Sequence, residues 1–140
     1  MNVAENFAVT GNIPRPPLCV LVVDDETLIR WSISEARTGN GHDVVEAGSA
    51  EDALEAMAST PRPIDVVLLD YRLPDSTDLG LLASIRRTLP HSAVVLMTAF
   101  GTPEVARDAM SLGAYQVLDK PFDMHGLDSL VRDAYAASHA

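Results

Sequence analysis

The sequence predicts an α/β fold in which a doubly wound parallel sheet of five strands is covered by five helices. Short apolar runs alternate strictly with stretches of helical period along the chain. Such alternation with short links is typical of parallel strands joined by right-handed crossovers. Residues 64–70 form a largely apolar run that ends in a carboxylate, as expected of a strand buried on both faces. With 140 residues, 47% of them hydrophobic, the chain is sized for one domain with a substantial core.

Three strands are predicted in the first half of the chain: the apolar runs 18–23 and 64–70, and a short second strand at residues 42–47. The first helix is predicted over residues 27–38 and ends at Gly39. The second helix begins at Ser49, with Asp52 as its capping-box partner. Pro61 ends this helix because proline cannot continue the backbone hydrogen bonding.

The second half of the chain is predicted to contain a fourth, apolar strand at residues 92–97 and a fifth strand at residues 114–118. The third helix is predicted over residues 77–88 and ends near Pro90. Thr102 is the expected N-cap of the fourth helix, because Pro103 follows it at the first helical position. Asp123 is expected to cap the fifth helix.

Apolar residues spaced three and four positions apart predict which face of each helix packs on the sheet. On the second helix this face comprises Ala50, Ala53, Leu54 and Met57. On the fourth helix it comprises Val105, Ala106, Ala109 and Met110.

The charge balance disfavours two classes of partner. The chain has 20 acidic and 10 basic residues, for a formal net charge of −10. Nucleic acids and anionic membranes attract clustered Lys and Arg, so direct binding to either is not expected. No apolar run approaches the length of a membrane span, and no signal-peptide pattern is present, which favours a cytoplasmic location.

The ends of the chain differ in character. Residues 1–17 have no sustained period and contain three prolines, so they are predicted to form a flexible N-terminal arm. Residues 18–138 then form the folded domain. Cys19 is the single cysteine and lies in an apolar run, which predicts a small buried hydrophobe without a disulfide.

Polar side chains stand at the carboxyl ends of the predicted strands. Asp24 and Asp25 follow the first strand, Asp70 ends the third, and Thr98 and Lys120 follow the fourth and fifth. All strand ends of a parallel sheet share one edge, where α/β proteins bind their ligands. These groups can therefore converge, most closely if the first and third strands are neighbours.

Crowded carboxylates are unfavourable unless a cation or a proton compensates them, and oxygen-only ligands suit Mg²⁺. The cluster is thus a candidate Mg²⁺-dependent phosphoryl site in which Asp70 attacks phosphorus to form an aspartyl phosphate. Lys120 and Thr98 could bind phosphate oxygens. The alternative for each residue taken alone is structural: a strand-end Asp that caps a loop, or a solvated acidic pair.

Residues from about 18 to 137 resemble the receiver domain of two-component response regulators. Four stretches carry the resemblance: Val23-Asp24-Asp25-Glu26, Leu69-Asp70-Tyr71-Arg72-Leu73-Pro74, Met97-Thr98-Ala99 and Lys120-Pro121-Phe122. The resemblance implies the flavodoxin-like receiver fold with strand order 2-1-3-4-5. It is nearest to receivers of the nitrogen-regulation type, which usually precede an ATPase and a DNA-binding domain. Neither domain follows here, so a stand-alone receiver and an excised one are both open.

The same resemblance implies a role for each metal-site residue. Asp70 is the phosphoacceptor for a phosphohistidine on a sensor kinase. Asp25 and Asp70 bind Mg²⁺ directly, together with the backbone carbonyl of Arg72, and Asp24 holds a metal-bound water. The chain is then a regulatory phosphoacceptor rather than an enzyme acting on a separate substrate.

The resemblance also implies how the switch responds. Thr98 and Lys120 bind the phosphoryl oxygens and move inward, which biases the face formed by the fourth helix, fifth strand and fifth helix. That face serves a downstream effector or an output domain, and the resemblance allows a homodimer through it. The Lys120-Pro121 bond is expected to be cis. The position that is commonly aromatic in the family is Val117, and Tyr115 points to the opposite side of the strand.

Two other functions stay open at this point. One is a receiver-like docking module that works without phosphorylation. The other is a small-ligand module of the flavin type on the same sheet, which would need a Gly-, Ser- or Thr-rich loop where residues 24–26 are acidic. Arg72 and Phe100 flank the site, either as solvated neighbours or as a gate for the water that hydrolyses the phosphate.

Overall fold

The computed structural model describes residues 17–39, 41–76 and 78–139. Five strands are present in these ranges: β1 Cys19–Val23, β2 Asp43–Ala47, β3 Val66–Asp70, β4 Ala93–Thr98 and β5 Gln116–Asp119. Five α-helices alternate with them: α1 Thr27–Gly39, α2 Ala50–Ser59, α3 Gly80–Thr88, α4 Pro103–Ser111 and α5 Leu127–Ser138. A 3₁₀ turn, Met124–Gly126, precedes α5.

The strands form one parallel sheet in the order β2-β1-β3-β4-β5. This confirms the doubly wound α/β fold and the strand order that the receiver resemblance implied. The order reverses between β1 and β3, which start the two halves of the sheet, so a crevice opens at their carboxyl ends. The fold therefore places the candidate phosphoryl site at its topological switch point.

Alternate side chains of the central strands enter two separate cores. Leu21 and Val23 of β1 belong to the core on one face of the sheet, whereas Val20 and Val22 belong to the core on the other. All four side chains are fully buried, and each such side chain contributes about 1.5–3 kcal/mol of hydrophobic stabilisation. Burial on both faces explains why the apolar runs are continuous rather than alternating. Cys19 is buried and has no disulfide, as predicted.

The predicted caps of α2 and α4 are confirmed. The Ser49 hydroxyl accepts a hydrogen bond from the backbone N–H of Asp52 at 3.0 Å. The Thr102 hydroxyl accepts one from Val105 N–H at 3.1 Å, and Pro103 is the first helical residue. Each cap satisfies an amide that the helix leaves without a partner.

Two helix starts differ from the prediction. Helix α3 begins at Gly80, where the Asp78 side chain accepts the Gly80 N–H at 2.9 Å. Thr77, the predicted start, lies outside the described residues. Asp123 caps the 3₁₀ turn rather than α5, because its carboxylate accepts the His125 N–H at 2.9 Å. The predicted N-terminal arm also lies outside the described residues, apart from Pro17, and stays a prediction.

The predicted inward orientation of two residues is wrong. Leu54 on α2 is 46% exposed and Met110 on α4 is 49% exposed. Each directly follows a fully buried alanine, Ala53 or Ala109, and one step along a helix turns a side chain by about 100°. Ala53 and Ala109 are the residues that pack in the core, so the residue after each of them faces solvent.

His42, the residue before β2, links α5 to Leu18, the residue before β1. Its buried ring accepts the Leu18 N–H at Nδ1, at 2.9 Å. The other ring nitrogen, Nε2, lies 3.0 Å from Asp128 Oδ1 in the first turn of α5. Arg37 of α1 contacts the same carboxylate oxygen at 3.3 Å.

None of the helices in the described ranges is both long enough and apolar enough to cross a membrane.

Candidate functional site

Three carboxylates meet where β1 and β3 end. Oxygen atoms of Asp24, Asp25 and Asp70 all lie within 4.8 Å of one another. Asp24 and Asp70 are buried, whereas Asp25 is exposed. The cluster is thus built into the sheet edge but open to solvent on one side, and its oxygen-only donors fit Mg²⁺.

Lys120 reaches this cluster from the end of β5. Its Nζ lies 2.7 Å from Asp24 Oδ2, 3.3 Å from Asp70 Oδ1 and 3.2 Å from Glu26 Oε1. The Lys120 backbone N–H donates to the Thr98 carbonyl at 2.8 Å, which fixes the Lys120 backbone beside the end of β4. The Lys120-Pro121 bond is cis, as predicted. The ammonium therefore links the ends of β5, β3 and β1 across one crevice.

Burial and neighbouring charges together set the pKa values of the two central groups, Asp70 and Lys120. Burial and the Asp24 charge raise the pKa of Asp70 to about 6, against the opposing effects of Lys120 and the Arg72 N–H. Burial also acts to lower the pKa of Lys120, but Asp24, Asp70 and Glu26 outweigh it and raise this pKa. Lys120 thus stays charged but does not fully compensate its carboxylate neighbours. The cluster has an excess of negative charge that a divalent cation would relieve.

Thr98 lies beside the cluster at the end of β4. It is 1% exposed, and its Oγ1 accepts a hydrogen bond from the Phe100 N–H at 3.2 Å. A cleft of about 270 Å³ opens above it, with room for several waters or a phosphoryl group. All the predicted site residues except Asp24 line this cleft. Its lining comprises Asp25, Glu26, Asp70, Arg72, Thr98, Ala99, Phe100 and Lys120.

Residues 20–132 match the family model described as the response regulator receiver domain. The chain belongs to the response regulator receiver family. It is 39% identical over 116 residues to the DNA-binding transcriptional regulator NtrC of Escherichia coli K12, across 82% of this chain and 24% of that protein. A receiver domain from Clostridium thermocellum is 30% identical with a TM-score of 0.79, across 87% of this chain and 97% of that one. A CheY-like receiver domain protein from Methanospirillum hungatei JF-1 shares the fold, with a TM-score of 0.81 at 22% identity over 89% of this chain and 98% of that one.

This receiver domain spans about a quarter of the length of the curated relatives it matches. Those relatives include NtrC and the response regulator FleR of Pseudomonas aeruginosa. The resemblance to receivers of the nitrogen-regulation type is therefore confirmed. Receiver domains are the regulatory parts of two-component systems, and this chain is one of them.

A relay of polar side chains holds the loop after β1 in place. Arg30 of α1 donates to the Asp24 carbonyl at 2.6 Å. Glu46 of β2 orients Arg30 through a contact of 3.2 Å, and Ser34 donates to Glu46 at 2.9 Å. Sequence reasoning missed Arg30 because its contact is with a backbone oxygen, which leaves no motif.

The loop after Asp70 is anchored to a second helix. Leu73 and Ser76 pair through their backbones, so the chain turns tightly between them. Asp75 accepts the backbone N–H groups of Ala50 and Glu51 at 2.8 and 3.0 Å, which lowers the pKa of Asp75. This carboxylate thus binds the amino end of α2 and ties the loop after Asp70 to that helix.

Val117 of β5 and Tyr115, which lies just before β5, face as the sequence predicted. Val117 packs against the core cluster on one face of the sheet, and Tyr115 packs against the cluster on the other. Tyr115 therefore cannot stand in for an aromatic residue at position 117. Phe100 lines the cleft and is 74% exposed, so this aromatic side chain lies on the rim of the site.

Proposed function

We propose that this receiver domain is a phosphorylation-controlled switch that accepts a phosphoryl group onto Asp70 from the phosphohistidine of a sensor kinase. The observation that carries the proposal is the ion cluster. Lys120 Nζ lies 2.7 Å from Asp24 and 3.3 Å from Asp70, among more carboxylates than it can neutralise. Clustered, partly buried carboxylates destabilise a protein unless a cation or a proton compensates their charge. Such clusters are typical of functional sites.

Mg²⁺ is the proposed cofactor. Asp24, Asp25, Asp70 and the backbone carbonyl of Arg72 are the groups that would hold it. Their carboxylate oxygens are close enough to share one ion, and the donor set contains no sulfur or imidazole that would favour a softer metal. A bound Mg²⁺ would supply charge neutralisation for the phosphoryl oxygens.

The reaction is a phosphoryl transfer between two proteins. A carboxylate oxygen of Asp70 forms a bond to phosphorus as the bond from the kinase histidine nitrogen breaks, and that nitrogen keeps the electron pair. Asp70 must be ionised to act as the nucleophile, and Lys120 at 3.3 Å favours this form. Positioning and electrostatics supply most of the rate, since the transferred group has little covalent chemistry of its own to perform.

Two existing contacts are the ones we expect phosphorylation to exchange. The Thr98 hydroxyl now accepts from the Phe100 N–H, and Lys120 now contacts Glu26. Both groups lie beside Asp70 and can bind phosphoryl oxygens in place of these partners. Their inward movement would bias the face formed by α4, β5 and α5, through a coupling of about 1–3 kcal/mol typical of such switches.

The proposed partners follow from this role. A sensor histidine kinase supplies the phosphoryl group, and a downstream effector or an output domain reads the α4-β5-α5 face, through which a homodimer could also form. NtrC is named as a DNA-binding regulator, but this domain has a net charge of −10, so any DNA contact would belong to an output domain. Residues 18–138 are the proposed folded unit. The cytoplasmic location stays a prediction.

Acetyl phosphate with Mg²⁺ tests the proposal without the kinase. We expect the intact mass to rise by one phosphoryl group, and the label to be lost in mild alkali as an acyl phosphate is. Asp70→Asn should take up no label, while Asp133→Asn, an equal charge change at an exposed position of α5, should label as the wild type does.

Labelling that survives in Asp70→Asn, or that resists alkali, would contradict the proposal. A folded protein that binds Mg²⁺ but takes up no label, from acetyl phosphate or from sensor kinases, would instead favour the phosphorylation-independent docking module. The flavin-type alternative lacks support, because the loop after β1 presents Asp24, Asp25 and Glu26 where a phosphate-binding loop would need neutral donors.

A further inference from the structure

Gly101 lies in unusually close contact with the Thr98 side chain. A Cβ atom at position 101 would be 2.7 Å from Thr98 Cγ2 and 3.2 Å from Asp119 Oδ1. Two carbon atoms pack favourably at about 3.5–4.0 Å, so a separation of 2.7 Å is strongly repulsive. Any residue other than glycine at 101 must displace either the β4–α4 loop or Thr98.

The requirement for glycine comes from this contact rather than from backbone conformation. Among the described residues, the glycines with positive φ are Gly41, at 83°, and Gly113, at 102°. The φ angle of Gly101 is not in this range. An alanine at 101 would therefore meet no backbone strain, and its effect would report on the neighbouring side chains alone.

Thr98 has little freedom to move away. It is 1% exposed at the end of β4, its carbonyl accepts the Lys120 N–H at 2.8 Å, and its hydroxyl accepts the Phe100 N–H at 3.2 Å. The Thr98 methyl group is thus held between the phosphoacceptor crevice and the loop that contains Gly101. Thr102, the next residue, is the N-cap of α4, so this loop leads directly into the proposed output face.

We propose that Gly101 is a positioning residue for phosphoryl transfer, which lets Thr98 turn its hydroxyl toward the phosphoryl group. With no side chain at 101, the Thr98 methyl group can be accommodated as the residue rotates, and the loop can follow Thr98 inward. A methyl group at 101 would fix Thr98 or push it out of place. This inference rests on the proposed function, because its main readout is phosphorylation.

A double-mutant cycle tests the contact. Gly101→Ala should slow labelling by acetyl phosphate roughly tenfold, the size expected of an overpacked contact. Thr98→Ser keeps the hydroxyl but removes the methyl group that clashes. In that background, Gly101→Ala should change the labelling rate by less than about twofold, since the coupling of two residues in contact appears as non-additivity.

Gly126→Ala is the matched control, because a Cβ atom at 126 would have no atom within 4 Å. It should label at the wild-type rate. A second readout is independent of phosphorylation: the ¹³C-methyl NMR signal of Thr98 should shift in Gly101→Ala and stay in place in Gly126→Ala. If the Gly101→Ala protein is too unstable to label, adding Thr98→Ser to it must raise the midpoint of thermal unfolding back toward the value of Thr98→Ser alone.

An equal slowing by Gly101→Ala in the wild-type background and in the Thr98→Ser background would overturn the inference. So would a wild-type rate, an unmoved Thr98 methyl signal or an unrestored midpoint. These outcomes are separate from failure of the proposed function. If the wild type takes up no label at all, the proposed function fails, whereas normal wild-type labelling without coupling removes only the role of Gly101.

Discussion

Replacing Asp70 by asparagine should stabilise the metal-free protein at neutral pH, although it removes the proposed phosphoacceptor. Asp70 is 7% exposed and lies beside the Asp24 carboxylate. Burial and Asp24 together disfavour its ionised form more than Lys120 and the Arg72 N–H favour it, so its pKa is raised from 3.8 to about 6. Asparagine has nearly the same shape and carries no charge, so the variant is free of this cost.

The size of the effect follows from the pKa difference. A shift from 3.8 to about 6 corresponds to about 3 kcal/mol at most. Lys120 loses one of its three carboxylate contacts in the variant, which offsets part of this gain. We therefore expect the free energy of unfolding to rise by about 1–3 kcal/mol at neutral pH.

The sign of the pH dependence is fixed by the direction of the shift. Between about pH 4 and about pH 6 the native state holds the Asp70 proton that the unfolded chain has already released. The wild type therefore loses stability as the pH rises through this window. The advantage of Asp70→Asn should be absent below it and complete above it.

Urea unfolding in the presence of EDTA, followed by circular dichroism from about pH 4 to about pH 7.5, measures this difference directly. Asp133→Asn is the control for the loss of one negative charge at an exposed position. A variant no more stable than this control at neutral pH would refute the reasoning. So would an advantage of the same size at both ends of the pH range.

The remaining predictions concern the groups around the crevice. At a free Mg²⁺ concentration about 100 times the dissociation constant, the ion should raise the free energy of unfolding of the wild type by about 2.7 kcal/mol. Thermal unfolding should show a much smaller effect in Asp70→Asn, and equal stabilisation of both proteins would place the metal elsewhere. Arg30→Gln should weaken Mg²⁺ binding severalfold in calorimetry, because Arg30 supports the Asp24 carbonyl at 2.6 Å; unchanged affinity would show that the loop holds its shape unaided. Asp75→Ala should speed hydrogen exchange of the Ala50 and Glu51 amides, which now bond to its carboxylate, and unchanged protection would show that this link is dispensable.

The strands and the acid cluster could be predicted because they depend on short-range patterns. The three central strands, β1, β3 and β4, are largely apolar runs, and a polar residue ends each of them or follows it directly. Parallel pairing then brings those ends to one edge, so Asp70 and Lys120 could be expected to meet without knowledge of any contact. The strand order itself came from the resemblance to receivers.

The rest depends on contacts that no local pattern records. Arg30 donates to a backbone oxygen, Asp75 accepts from a helix more than twenty residues earlier in the chain, and the need for glycine at 101 comes from one methyl group. Leu54 shows the reverse case, since its spacing fits an inward face that the adjacent Ala53 already fills.

The hydrogen bonds of His42 fix the chemical form of its ring. An amide N–H can only donate, so the contact of Leu18 with Nδ1 requires that nitrogen to be the unprotonated one. The ring proton then lies on Nε2, directed at Asp128. Helix α5 is consequently joined to the residue that precedes β1 through one ring in one orientation, and an aliphatic side chain at position 42 could make neither contact.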